Sequence, residues 1–214
     1  MSVPSPGAAP TAARADDLAL SAMGADPFTS LAFMADVSVR PARPDDVGEI
    51  ARIQVDTWRT SYAKILPAPV LESLSVESAE AAWAAAIGTP PSARHHVLVA
   101  QEQGWRVGFV ALGPADDLEP QDPQPDTTVA LGPLLVEPRW GRRGHGSRLL
   151  AAAVDSARAD AMTRAIIWIP EADTASREFL VSAGWAPDGL ARALDTGAGE
   201  LREIRLHASL EEPT

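Results

Sequence analysis

The sequence predicts a single mixed α/β domain, and three observations carry that reading. From about residue 36, segments of strand and helix pattern follow one another as a strand, helices, a strand meander, a helix, a strand, a helix and two closing strands. The apolar run at 129–136 leads through a loop rich in glycine and arginine directly into an amphipathic helix, whose Leu149, Leu150, Ala153, Val154 and Ala157 recur at helical spacing. With 46% hydrophobic and 22% charged residues in 214, the composition suits a chain with one well-filled core.

Taken in order, residues 1–35 are rich in Ala, Pro, Ser and Asp and only weakly periodic, which predicts a mobile N-terminal arm; the domain is expected over 36–211. Ser38-Val39-Arg40 predicts the first strand. Pro44-Asp45-Asp46 opens a helix with acid in its first turn, and Ile50, Ile53, Val55 and Trp58 give that helix an apolar stripe. Two further short helices are predicted at 67–74 and 78–87. Residues 97–101 and 107–112 read as a hairpin turning at Gln103-Gly104, so His95 and His96 begin a strand and are expected to face solvent. The stretch 114–126, with four prolines, five acids and no base, predicts a solvated loop and a candidate substrate-facing one. After the glycine loop come a strand at 165–169, a helix at 174–183 closed by Gly184, and strands near 189–194 and 201–208, the last containing His207.

Several classes of function are disfavoured at once. A net charge of −11 argues against a nucleic-acid binder, although Arg139, Arg142, Arg143 and Arg148 reverse the sign locally. The absence of cysteine removes disulfides, thiolate chemistry and Cys-ligated metals, and fits the cytoplasm, where the chain is expected. No run reaches the roughly 18 apolar residues that cross a bilayer, so no membrane partner is expected. No basic segment followed by an apolar core marks a secretory signal. No His, Asp or Glu spacing suggests a metal site.

The glycine loop is the most informative segment. Val136-Glu137-Pro138-Arg139-Trp140-Gly141-Arg142-Arg143-Gly144-His145-Gly146-Ser147 places a helix N-terminus, unblocked by side chains at Gly144 and Gly146, immediately beyond a strand. Free N–H groups and the positive end of the helix dipole make such a place an anion site, and phosphate is the usual anion. A nucleotide P-loop would need a Gly-Lys-Ser/Thr ending, which is missing. A dinucleotide fold would use Gly144-His145-Gly146 and the acid Glu171, but its third glycine position is Leu149 and the unit follows an antiparallel meander.

A third reading accommodates the whole pattern. Four segments in order resemble the GNAT N-acetyltransferase superfamily over about 37–210: Ser38-Val39-Arg40-Pro41-Ala42 with Asp45-Asp46; Thr57-Trp58-Arg59-Thr60-Ser61-Tyr62 continuing to Ile65-Leu66-Pro67; Leu134-Leu135-Val136-Glu137-Pro138 through Leu150; and Phe179 through Gly184-Trp185 with Pro187-Asp188-Gly189. The resemblance implies a GNAT-like, mostly antiparallel central sheet with a splayed strand pair, flanked by helices. It implies an acetyl-CoA-dependent N-acetyltransferase that needs no metal. Gly132-Pro133 inside an otherwise good strand agrees, because proline cannot donate to a ladder and marks an edge or a bulge. In the family the matching strand bulges there. Leu134, Leu135 and Val136 would then bind the pantetheine arm through main chain, and the amides of Arg142, Arg143, Gly144, His145, Gly146 and Ser147 would cradle the pyrophosphate.

The chain also departs from the family. Gly141 stands where Gln or Arg is usual, and Arg142 replaces a small residue. The signature strand carries no acid to serve as base, and Leu180 occupies the place of the tyrosine often found after the phenylalanine of the last helix. Asp173 matches the asparagine that opens that helix, so it is a candidate hydrogen-bond partner of the cofactor or its sulfur. The catalytic candidates left are Glu171, after the strand next to the splay, and Tyr62, the one tyrosine of the chain. The function implied is transfer of acetyl to a primary amine, on a protein lysine or a small molecule, by direct attack in a ternary complex. The alternative is a non-catalytic acyl-CoA-binding regulatory module. Oligomeric state is left open, a homodimer included.

Overall fold

The computed structural model describes residues 37–211; the expected N-terminal arm lies outside them. In chain order the elements are β1 (Val37–Pro41), α1 (Val47–Ser61), α2 (Ala68–Ser73), α3 (Val76–Gly88), β2 (His96–Glu102), β3 (Trp105–Pro114), β4 (Thr128–Val136), α4 (His145–Ala159), β5 (Arg164–Pro170), α5 (Thr174–Ser182), β6 (Ala186–Asp195) and β7 (Glu200–Ser209). Local chemistry explains their limits. Gln103 and Gly104 both take positive φ (50° and 80°), the requirement of a tight hairpin turn between β2 and β3. The Ser75 hydroxyl caps α3 by accepting from the Ser78 N–H at 3.1 Å. Gly184, at φ 89°, ends the turn that follows α5.

The strands form one seven-stranded sheet in the order β1-β2-β3-β4-β5-β7-β6. Every neighbouring pair is antiparallel except β4–β5. One face carries Ile50, Ala51 and Ile53 of α1 and Trp83 of α3 against Val99, Phe109 and Leu135. On the other, Leu149, Leu150, Ala153 and Ala157 of α4 pack with Leu180 of α5 against Val110, Leu131 and Ile167.

The feature that shapes the site is where β4 leaves β5. Their pairing covers only Thr128–Leu131 against Arg164–Ile167. On the other edge of β4 the register slips: Leu112 opposes Leu131 while Val110 opposes Leu134, so Gly132 and Pro133 together face Ala111. That is a β-bulge, where the sequence places its proline. β5 continues to Pro170, held by β7 alone. The two central strands therefore diverge beyond Leu131.

The loop after β3 is mostly exposed, as expected, except at Asp122, whose side chain is 4% exposed and accepts from the Arg205 guanidinium, with Arg164 at 3.6 Å and Asp188 bridging both arginines. The reason is electrostatic: two arginines of the sheet, themselves buried, draw the acid inward. Asp46 is held in the same way, fully buried between Arg40 at 2.7 Å and Arg106 at 2.8 Å. These guanidiniums and the Arg43 N–H outweigh burial and hold its carboxyl well below the ordinary range.

Candidate active site

Two residues of the glycine loop take the left-handed backbone conformation on the way into α4. Arg142 and Gly144 have φ of 65° and 80°, and Gly144 is the residue preceding the first turn of the helix. Among the described residues, no acceptor is bonded to the main-chain N–H groups from Arg142 to Ser147; the first intrahelical bond runs from Arg148 to Gly144 O at 3.1 Å. These are donors that a helix start leaves open. A Cβ on Gly146 would stand 3.5 Å from the Phe179 ring, ordinary van der Waals contact, so this residue faces α5.

The arginines around the loop have distinct placements. Arg143 pairs with Glu102 at 3.1 Å and lies over the Trp140 ring at 4.9 Å. Arg148 donates to the Arg143 carbonyl at 3.0 Å. Arg139 pairs with Glu137 at 3.0 Å. Arg142 is exposed and makes no ion pair among the described residues. The ring of His145 does not face the loop's open side. Its side chain is 1% exposed, turned inward, with Nε2 2.8 Å from Glu102 and its edge toward Trp140. Glu102, at the end of β2, draws the imidazole into the core, and only the main-chain N–H of His145 stays with the loop.

Where β4 and β5 part, a cavity of about 680 Å³ runs between them. Ser176, Phe179 and Leu180 line it from α5, and Trp58, Tyr62, Leu66 and Val70 line it from the end of α1 through α2. The gap therefore reaches both faces of the sheet. Leu134 and Leu135 border it, while Val136 packs into the core under α4.

Tyr62 stands in this gap. Burial first, then the negative charge of Asp173, push its phenol well above the ordinary value, so it remains an O–H donor. Asp173 itself caps α5, accepting from the Ser176 N–H at 3.0 Å and the Ser176 hydroxyl at 2.7 Å. Glu171 is half exposed, pairs with Arg202 at 3.3 Å and is not among the residues that border the cavity.

Several residues at the site were not singled out from sequence. Asp116, Asp117, Trp168, Arg192 and Glu203 border the cavity beside Tyr62. Arg192 bonds Asp117 and Glu203, each at 2.7 Å, and lies 4.2 Å over the Trp168 ring. His95 also borders the cavity, correcting the expectation that it faces solvent. Its Nδ1 lies 2.9 Å from the Ser92 hydroxyl, and its ring occupies the space a side chain at Gly113 would fill, 2.5 Å from a Cβ there. Gly113 was the available signal for that contact. His96 is tied to Asp160 at 2.7 Å.

Comparison with known proteins fits this geometry. A sequence model of the acetyltransferase (GNAT) family matches residues 50–185, which span α1 through the end of the α5 turn. The chain belongs to the GNAT acetyltransferase family. It is 32% identical over 136 residues to the N-acetyltransferase YuaI of Bacillus subtilis, covering 63% of this chain and 72% of that protein. The fold resembles yncA from Salmonella typhimurium, solved with acetyl-CoA, at a TM-score of 0.62 and 19% identity, over 83% of this chain and 96% of that one. It also resembles the paia N-acetyltransferase from Thermoplasma acidophilum, solved with coenzyme A, at 0.65 and 15% identity, over 81% and 98%. As a family member this chain is an N-acetyltransferase with acetyl-CoA as donor. The open amides, the bulged β4 and the gap beside it fit that donor. Among the described residues no helix is long and apolar enough to cross a membrane.

Proposed function

We propose that the protein transfers acetyl to a primary amine, on a small molecule or a protein lysine, by direct attack within a ternary complex. The observation that carries this reading is the gap between β4 and β5. On one face it is bordered by Phe179, whose ring lies beside Gly146 at the helix start where the amides from Arg142 to Ser147 lack acceptors, and on the other by Asp116, Asp117 and Glu203. The amides would hold the diphosphate, Arg142 would add positive charge, and main-chain groups of Leu134, Leu135 and Val136 would hold the pantetheine arm.

Attack needs a neutral amine, because an ammonium, with pKa near ~10.4, has no lone pair. An acid-bordered mouth attracts the cationic form and offers carboxylates to take its proton. Tyr62, kept protonated by burial and by Asp173, is suited to return a proton to the departing sulfur. Two reactants meeting at one gap gain mainly from proximity.

The test is thiol release from acetyl-CoA across a panel of mono-, di- and polyamines and lysine peptides, with the acetylated product identified by mass. Turnover on an amine is the expected result. Calorimetric binding of acetyl-CoA with no release on any amine would refute transfer and leave a donor-binding module.

A further inference from the structure

We infer that Glu203 is the base of this reaction, taking on its Oε1 the proton that the attacking amine loses. The inference rests on the transfer proposed above. As the new C–N bond forms and the C–S bond breaks, the nitrogen sheds one proton and the sulfur gains one. β4 carries no acid, so a carboxylate that takes the first proton, directly or through water, is supplied by another element.

The carboxylates near the gap differ in what they have left to offer. Glu171 is half exposed, ion-paired to Arg202 and away from the cavity. Asp173 engages one oxygen with the Ser176 N–H and the other with its hydroxyl. Asp116 and Asp117 are exposed on the loop after β3, and Asp117 is committed to Arg192. Glu203 borders the cavity with a side chain only 12% exposed. Arg192 Nε fixes its Oε2 at 2.7 Å, and Oε1 accepts from no described residue. It is a carboxylate held in place by one oxygen and available through the other.

Register places it at the gap. Glu203 pairs across the ladder with Pro170, the last residue of β5. It therefore stands one strand spacing, about 4.8 Å, from the edge along which β5 parts from β4. Its charge also reaches the Tyr62 phenol, contributing to the upward shift there, so the proposed proton donor and acceptor share one mouth. Arg192, lying over Trp168 and tethered by Asp117, acts as the positioning residue. The other charged or titratable groups around Glu203 are Arg205 on its own strand, Asp116 on the loop, Asp173 at α5 and His95.

Glu203→Gln keeps an acceptor for Arg192 but cannot take a proton. The expected result is a fall in kcat of about 10²-fold or more, an unchanged KM for acetyl-CoA, and loss of the acidic limb from the pH profile of kcat/KM. In Glu203→Ala, added formate should restore part of the rate, a recovery that a purely structural role would not give. Transfer by Glu203→Gln within about threefold of the unmodified enzyme, with the acidic limb intact, overturns the assignment while leaving the proposed function standing. Failure of formate to restore Glu203→Ala also counts against it. Absence of transfer by the unmodified enzyme to every amine overturns both.

Discussion

Replacing Asp122 by alanine tests whether one buried acid holds the loop after β3 onto the sheet. Asp122 accepts from both amino groups of Arg205 and stands 3.6 Å from Arg164. Its removal leaves Arg205, 2% exposed, and Arg164, 8% exposed, sharing Asp188 alone at 2.7 and 3.2 Å. Taking one partner out of a buried ion pair costs about 3–5 kcal/mol, because the charge left behind is uncompensated. In a domain of this size each kcal/mol moves Tm by about 2–4 °C, so a fall of about 6–20 °C is expected. The sign with pH follows from the same contacts. The Arg205 guanidinium, opposed by burial, holds the Asp122 carboxyl below its ordinary range. A carboxyl lowered in this way stabilises the fold above its unfolded value, near ~3.9, and the contribution is lost as pH falls through the folded value. Thermal and urea unfolding at pH 7, repeated in steps toward acid, measure both effects. A Tm within about 2 °C of the unmodified protein at neutral pH, or a gap that widens on acidification, would refute the reasoning.

Three further outcomes are expected. Gly108→Ala puts a Cβ 2.5 Å from the Leu135 carbonyl and 3.1 Å from Val136 Cα, where β3 and β4 approach closely; equilibrium urea unfolding should register a loss of about 1–3 kcal/mol or more. Tyr62→Phe retains the ring and removes the donor, so kcat should fall about 10²-fold with little change in stability, while the unmodified enzyme shows no loss of rate from phenol ionisation below about pH 10. Arg142→Glu should weaken acetyl-CoA binding by about 1.5–3 kcal/mol in calorimetry, with the fold intact, because the side chain is exposed and makes no ion pair among the described residues.

How far the sequence speaks depends on whether a role belongs to main chain or side chain. The open helix start was legible because glycine spacing fixes where N–H groups are left free: Gly144 and Gly146 mark it whatever surrounds it. The divergence of β4 was legible for a similar reason, since Gly132-Pro133 cannot continue a regular ladder. Helices and strands followed from their apolar periods, punctuated by Gln103-Gly104 and Gly184.

Side-chain roles were harder. Glu203 and Arg192 meet as cross-strand partners of the β6–β7 pair, and β7, set between β5 and β6, carries them to the gap; no local pattern states that sheet order. Glu171 precedes α5 in the expected place, but its N–H completes the ladder to Arg202 O at 2.9 Å while its side chain is left half exposed. Asp122 belongs to a segment whose composition reads as solvated. The arginine that buries it lies 83 residues away, beyond any window over which periodicity informs. The inward turn of the His145 imidazole has no local signal, because Glu102, its partner, lies 43 residues earlier.

The opening between β4 and β5 has a kinetic consequence. Under the proposed function, a slot that perforates the sheet would give donor and acceptor separate doors, so that neither waits for the other to enter or to clear. Initial-rate patterns should then intersect whichever reactant is varied. A dead-end analogue of either should leave the opposite doorway in service.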